Sequence, residues 1–194
     1  MILGAVLAGG TSRRFGSDKA LALLDGRSLI DHVIARLAPQ CAALLVVGRH
    51  HGDWNSLTDR PAGGLGPLAA LNAALHDAAN HGYTSVLSAP CDMPDLPDNL
   101  PTLLGRAPAV LADQPVVGLW PVHVAPQLDA WLANGERSVR KFAKHIGATE
   151  AVLPVPLANI NTPADLARCR VAQPSPSGTS TSPSAGSSLS TQPG

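Results

Sequence analysis

Net charge is the first thing this sequence lacks. Its 194 residues carry 14 Lys and Arg against 14 Asp and Glu, and charged residues make up only 14% of the chain. A protein that works by bulk charge on nucleic acid or on an anionic membrane surface is therefore not expected, although a local basic loop can still hold one small anion. Cysteine is scarce too. Cys41, Cys91 and Cys169 are odd in number, widely spaced and free of any C-x-x-C pair. That excludes a disulfide framework and a zinc site, and it fits a reducing cytosol. No apolar run reaches the length of a membrane span. No basic stretch precedes the first apolar segment, so no secretory leader is expected. No internal repeat is visible. The expected compartment is the cytoplasm.

What is present is enough apolar sequence, 45% of residues, for one domain with one sizeable core. "MILGAVL", "ALLVVG" and "TSVLSAP" are short apolar runs of the kind that form buried strands, and "PVVGLWPV" is a fourth. Helical stripes lie between them. "SLIDHVIARL" places Leu29, Ile30, Val33, Ile34 and Leu37 on one face with Ser28 as N-cap. "GPLAALNAALHDAA" starts with Pro67 at its first position. "PQLDAWLANG" and the basic "SVRKFAKHIG" are further helices, and "TEAVLP" is an edge-strand candidate. "NTPADLARCR" closes the domain, with Thr162 as N-cap and Asp165 at N3 in a near capping box. Alternation of this kind predicts an α/β fold, a mostly parallel sheet covered on both faces, over residues 1–171. Residues 172–194 are almost all Ser, Thr, Pro and Gly, and are expected to be a disordered tail.

In such sheets ligands bind beyond the carboxyl ends of the strands. The segments after Leu7, Val47 and Ala89 should therefore cluster. The first of them, "AGGTSRRFGSDK", fits neither standard phosphate pattern. Gly10 and Gly16 are five residues apart and Gly16 is followed by Ser17, so the P-loop spacing fails; Gly9 and Gly10 are adjacent, so the dinucleotide pattern fails. "GLGPLA" matches the dinucleotide pattern formally but follows no evident strand, and is set aside. The first loop can still do phosphate work. Gly9 and Gly10 let backbone N–H groups approach a ligand, while Arg13 and Lys19 can neutralise phosphate charge. Taken alone, the loop fits a solvated basic surface loop equally well.

A second signal breaks that balance. In "SAPCDMP", Asp92 follows a strand too apolar to be exposed. A carboxylate on the sheet's rim, facing a basic phosphate loop, suits Mg²⁺, which takes one or two carboxylates together with phosphate oxygens and water. Read alone, Asp92 would be a cap for the following turn.

The segments "VLAGGTSRRFGSDKALALLDGRSLIDHV", "DRPAGGLGPLAALNAAL", "SAPCDMPDLP", "QPVVGLWP" and "ANINTPADL" occur in this order. Together they resemble the molybdenum cofactor guanylyltransferases, over essentially the whole domain to about Arg170. The resemblance implies a Rossmann-like α/β/α sandwich of the glycosyltransferase-A (nucleotide-diphospho-sugar transferase) type. It implies transfer of GMP from GTP to molybdopterin or Mo-molybdopterin, with release of pyrophosphate and Mg²⁺ as cofactor. By the same resemblance Leu7, Ala8, Gly9 and Gly10 with Lys19, Asp59 and Asp92 bind GTP. Lys19 and Arg13 neutralise the triphosphate, and Asp92 is the metal ligand. Cofactor-biosynthesis proteins and chaperones of apo-molybdoenzymes are the implied further partners. A monomer is the expected state.

Several readings stay open at this stage. Asp59 also suits an Asx-type turn before Pro61. Asn159 and Asn161, taken to lie at a strand end, either face the cleft as pterin or second metal contacts or cap the last helix. Arg137, Arg140, Lys141 and Lys144 form a basic face that suits an anionic pterin, though a solvated helix explains it somewhat better. Family members place a nucleotide-contacting asparagine where this chain has Gly48, so no side-chain role carries over. His50 and His51 read as solvated rather than metal-binding. The rival functions are a molybdopterin cytidylyltransferase, a sugar-phosphate nucleotidyltransferase, and a non-catalytic molybdenum-cofactor carrier.

Overall fold

Strands β1 (Ile2–Leu7), β4 (Ala43–Val47) and β6 (Ser85–Pro90) form the middle of the sheet, where each is buried on both faces. Their alternate side chains feed two separate layers, as the two-residue period of a strand requires. Leu3, Ala5 and Leu7 enter one apolar cluster with Leu45, Val47 and Val86; Val6 and Ala8 enter the other with Leu44, Val46, Leu87 and Ala89. This sheet belongs to a computed structural model in which residues 1–10, 15–16 and 18–172 are described. Arg13 and the expected tail from 173 onward lie outside the described residues.

Among the described residues the main sheet has seven strands. Outside the central three lie β5 (Asn55–Leu57), β7 (Ala109–Leu111), β8 (Gly118–Pro121) and β9 (Thr149–Ala151), giving the order β5-β4-β1-β6-β8-β7-β9. Only β8 runs against the others: it pairs antiparallel with both β6 and β7, while the β1, β4, β5, β6 pairs and the β7–β9 pair are parallel. β9 is the edge strand anticipated in "TEAVLP". β5 and β7 were not anticipated. Each is three residues long, too short to show a period, and β5 is polar throughout except for Leu57.

Helices α2 (Pro67–Asn80), α4 (Ala125–Ala133) and α5 (Val139–His145) cover one face; Leu68, Leu71, Leu75, Leu128 and Phe142 fill it. Helices α1 (Leu29–Leu37) and α3 (Leu100–Leu104) cover the other through Ile30, Val33, Ile34, Leu37 and Leu100. The three-layer α/β sandwich is the expected one. Ser28 caps α1 as predicted, its hydroxyl accepting from the Asp31 N–H. Trp120 is fully buried and stacks on Phe142 at 6.2 Å. Its indole N–H donates to Ser88 Oγ at 2.8 Å, and that hydroxyl donates to the Val116 carbonyl at 2.6 Å, so no polar group of the relay is orphaned.

A small hairpin, β2 (Leu23–Leu24) with β3 (Arg27–Ser28), and helix α6 (Pro163–Ala172) close the N-terminal segment. Leu24, Leu29, Phe15 and Ile160 make a third cluster against Leu166 and Cys169 of α6. The capping box of α6 is complete: Asp165 Oδ2 accepts from the Thr162 N–H at 2.8 Å, and Thr162 Oγ1 accepts from the Asp165 N–H at 3.2 Å. No described helix is long and apolar enough to cross a membrane.

Candidate active site

The carboxyl ends of β1 and β6 open into a cleft of about 250 Å³. β1 and the loop after it supply Leu7 to Gly10, β6 and the turn after it supply Pro90, Cys91 and Asp92, and the segment from Asp18 to Ala20 forms another wall. Asp59 and the Gly64–Pro67 stretch, leading into α2, complete it. The third expected segment, after β4, takes part through its backbone. Gly48 adopts φ +92°, and a β-carbon there would fall 2.5 Å from the Gly9 α-carbon and 2.6 Å from its nitrogen. Only glycine fits that approach. Gly48 is thus a backbone packing contact in this chain.

Lys19 is held from several directions. Asp18 accepts from the Ala20 N–H and so caps the single 3₁₀ turn Lys19–Leu21. Arg49, next to Gly48, forks onto both carboxylate oxygens of Asp18, with 2.8 Å to Oδ1. That hydrogen bond outweighs burial and holds the Asp18 carboxyl below its ordinary range. Asp18 lines the cleft, but its charge is already matched. Lys19 Nζ then donates to Asp92 Oδ2 at 2.5 Å and to Asn161 Oδ1 at 3.2 Å.

Asp92 and Asp59 both line the cleft, and one carboxylate oxygen of each, Asp92 Oδ1 and Asp59 Oδ1, is buried without a hydrogen-bond partner among the described residues. Asp59 lies beside Gly9, and burial raises its pKa above the usual carboxylate range. Cys91 is the thiol nearest this chemistry. Burial first, and the Asp92 charge second, push it up to about 12, so it stays a neutral thiol and a poor nucleophile.

The residues expected from sequence therefore converge: Leu7, Ala8, Gly9, Gly10, Lys19, Asp59 and Asp92 share one cleft. Some expectations are corrected. Asn159 and Asn161 lie in coil, not at a strand end. The Ile160 N–H between them donates to the Asp92 carbonyl, so coil pairing, not a sheet, brings this segment to the site. Asn161 reaches Lys19, and Asn159 Oδ1 is buried without a partner among the described residues. His51 is not solvated: its Nε2 lies 2.7 Å from Asp31 Oδ1, tying the loop after β4 to α1. The basic residues of α5 do not line the cleft. Arg140 and Lys141 lie near Glu150 and Glu136, and Arg137 donates to the Leu132 carbonyl. "GLGPLA" is no dinucleotide fingerprint, since residues 58–66 separate β5 from α2, yet Gly64 and Gly66 line the cleft. Gly66 starts α2 at φ +82° with no side-chain cap. That helix start was legible as Gly-Pro before an apolar stripe, and its place at the cleft was not.

The family model of the MobA-like NTP transferase domain matches residues 4–150. A molybdenum cofactor guanylyltransferase of Rhizobium leguminosarum bv. trifolii (strain WSM2304) is 39% identical over 86% of this chain and 90% of its own length. That of Rhodobacter capsulatus is 40% identical over 86% and 94%. Among solved structures, molybdopterin-guanine dinucleotide biosynthesis protein A of Archaeoglobus fulgidus aligns with a TM-score of 0.69 at 21% identity, over 88% of this chain and 97% of that one. At that identity the likeness bears on fold alone.

Proposed function

Since this chain belongs to the molybdenum cofactor guanylyltransferase family, we propose that it transfers GMP from GTP to molybdopterin or Mo-molybdopterin, releasing pyrophosphate. The observation that carries the reading is the pair of unpartnered buried oxygens, Asp92 Oδ1 and Asp59 Oδ1, in one cleft with Lys19. Buried polar atoms are normally satisfied within the fold. Two that are not, on residues lining one cleft, support a ligand site there. A phosphoryl-bearing nucleoside offers both kinds of partner: donors for one carboxylate, and phosphates with their counter-cation for the other.

In the proposed reaction an oxygen of the molybdopterin phosphate attacks the α-phosphorus of GTP. The bond from that phosphorus to the bridging oxygen breaks, and pyrophosphate leaves. Gly9 and Gly10 let the backbone approach the nucleotide. Asp59 accepts from it beside Gly9. Lys19 stabilises negative charge as it moves onto the departing pyrophosphate. Arg13 has the same proposed role. Transfer is direct and in line, with no covalent enzyme intermediate.

The donor set at Asp92 fits Mg²⁺. One carboxylate oxygen is unsatisfied, Asn161 supplies an amide oxygen nearby, and no group of three His, Cys, Asp or Glu converges among the described residues. Such a site leaves most ligands to phosphate and water, as Mg²⁺ prefers. When bound, Mg²⁺ would supply positive charge to the phosphate oxygens. Lys19, held beside Asp92, would add its ammonium charge on the triphosphate side. The free thiols Cys41, Cys91 and Cys169 suit a cytoplasmic setting, and the product would pass to cofactor-handling proteins or apo-enzyme chaperones.

Incubating the protein with Mg²⁺, molybdopterin and one of GTP, CTP or ATP, and detecting pyrophosphate, tests this. Release from GTP is expected. Release from CTP but not GTP would sink the guanylyl assignment, and no release from any nucleotide would favour a carrier.

A further inference from the structure

Asn72 breaks the pattern of its own helix. Its neighbours on α2, Leu68, Leu71 and Leu75, are core residues, and Asn72 is itself completely buried. Its Oδ1 has no hydrogen-bond partner among the described residues. A buried amide with an unsatisfied oxygen is a stability cost that an apolar residue would avoid. Local rules broken in this way tend to mark function. The Asn72 Nδ2 explains the choice. It donates to Asp129 Oδ1 on α4 at 2.7 Å and to the Arg60 carbonyl at 3.2 Å. The Arg60 N–H in turn donates to the Ala69 carbonyl of α2 at 3.0 Å. Asp129 is held on its other oxygen by His76 Nε2 at 2.8 Å, and Arg60 Nε approaches its Oδ1 at 3.5 Å.

Both backbone polar groups of Arg60 are therefore fixed from behind, and Arg60 follows Asp59 directly. We propose that Asn72, braced by Asp129, is a positioning residue for nucleotide binding: it clamps the 58–66 strap onto α2 so that Asp59 faces the cleft beside Gly9. Neither Asn72 nor Asp129 lines the cleft, so each acts through Asp59. The inference rests on the nucleotide reading above, and it adds residues from α2 and α4 that touch no substrate.

The test pairs two measurements on the full chain. Hydrogen–deuterium exchange follows the amides of residues 58–66 without ligand, and equilibrium dialysis gives the GTP dissociation constant. Asn72→Ala should accelerate exchange of the strap and weaken GTP binding about tenfold, since small misplacements of a binding group are costly. In the full reaction KM for GTP should rise by a similar factor, with kcat at saturating GTP within about twofold of wild type. Asp129→Asn keeps an oxygen for Asn72 and should stay close to wild type, whereas Asp129→Ala should move toward Asn72→Ala. If Asn72→Ala does not fold, Asp129→Ala reads the same bond at a half-exposed position. Unchanged strap exchange, unchanged GTP affinity in a folded variant, or a loss confined to kcat overturns the proposal. A wild-type chain that binds no GTP, while the variant's strap still loosens, leaves the clamp standing and overturns the guanylyl reading instead.

Discussion

Gly48 and Gly9 touch backbone to backbone, so closely that a β-carbon on Gly48 would lie 2.5 Å from the Gly9 α-carbon. The contact locks the loop after β4 onto the loop after β1. Gly48→Ala should push the Gly9 backbone out of register and strain a residue at φ +92°. The expected cost is about 1–3 kcal/mol of stability, with weaker GTP binding. Urea denaturation and dialysis check both. An alanine variant with wild-type stability would mean the loops can separate freely.

Asp92→Ala should abolish turnover, because it removes the carboxylate proposed to share the metal with the phosphates. A variant with near wild-type rate at limiting Mg²⁺ would contradict that role. Lys19→Ala is expected to lower kcat more than it weakens GTP binding, since the ammonium is assigned to charge that develops during transfer. Steady-state rates against GTP, with binding measured separately, distinguish the two effects.

Asp59 makes a pH-dependent prediction. Burial disfavours its ionised form and raises its pKa. The folded state therefore binds its proton more tightly than the unfolded state does, so the ionised carboxylate destabilises the fold once the pH exceeds the ordinary carboxylate range. Asp59→Asn should melt higher than wild type near neutrality, and the gain should vanish in acid, where both states are protonated. GTP affinity should fall in the same variant. Equal melting temperatures at neutral pH would show that the carboxylate carries no such burden. In the wild type, GTP affinity should decline with falling pH earlier than an unperturbed carboxylate would dictate.

Ser88→Ala removes the hydroxyl that accepts from the Trp120 indole and donates to the Val116 carbonyl. The buried Trp120 indole and the partly buried Val116 carbonyl lose their partner at once, at a cost of about 1–3 kcal/mol for the indole if it finds no other. Thermal denaturation reads the loss. Because Val116 lines the cleft, a modest rise in KM should accompany it.

Much of this arrangement was legible in the sequence. The central strands are apolar runs, and the main helices carry clear stripes with Ser28, Pro67 and Thr162 at their starts. Lys19 and Asp92 were readable only together, as a basic glycine-containing loop opposite a carboxylate at the end of an apolar strand, and the role of Asp59 came from the family resemblance alone. β5 and β7 were not, since three residues hold no period. The coil at Asn161 escaped because its place depends on long-range contacts: the bond from the Ile160 N–H to the Asp92 carbonyl, the Lys19 bond to Asn161, and the burial of Ile160. Gly48 and Asn72 were illegible for a deeper reason. Their partners, Gly9 and Arg60 with Asp129, lie far along the chain, and no local pattern announces a contact made only by the fold.

The bond from Ile160 to Asp92 also bears on where this enzyme can be cut. Similarity to the MobA-like domain runs from residue 4 to 150, and a truncation designed on it would look like a whole unit. It would discard Ile160, which seals the hairpin cluster, and Asn161, which shares Lys19 with Asp92. The portable catalytic module is therefore longer than the stretch the family model matches, and any graft or chimera must carry the chain through α6.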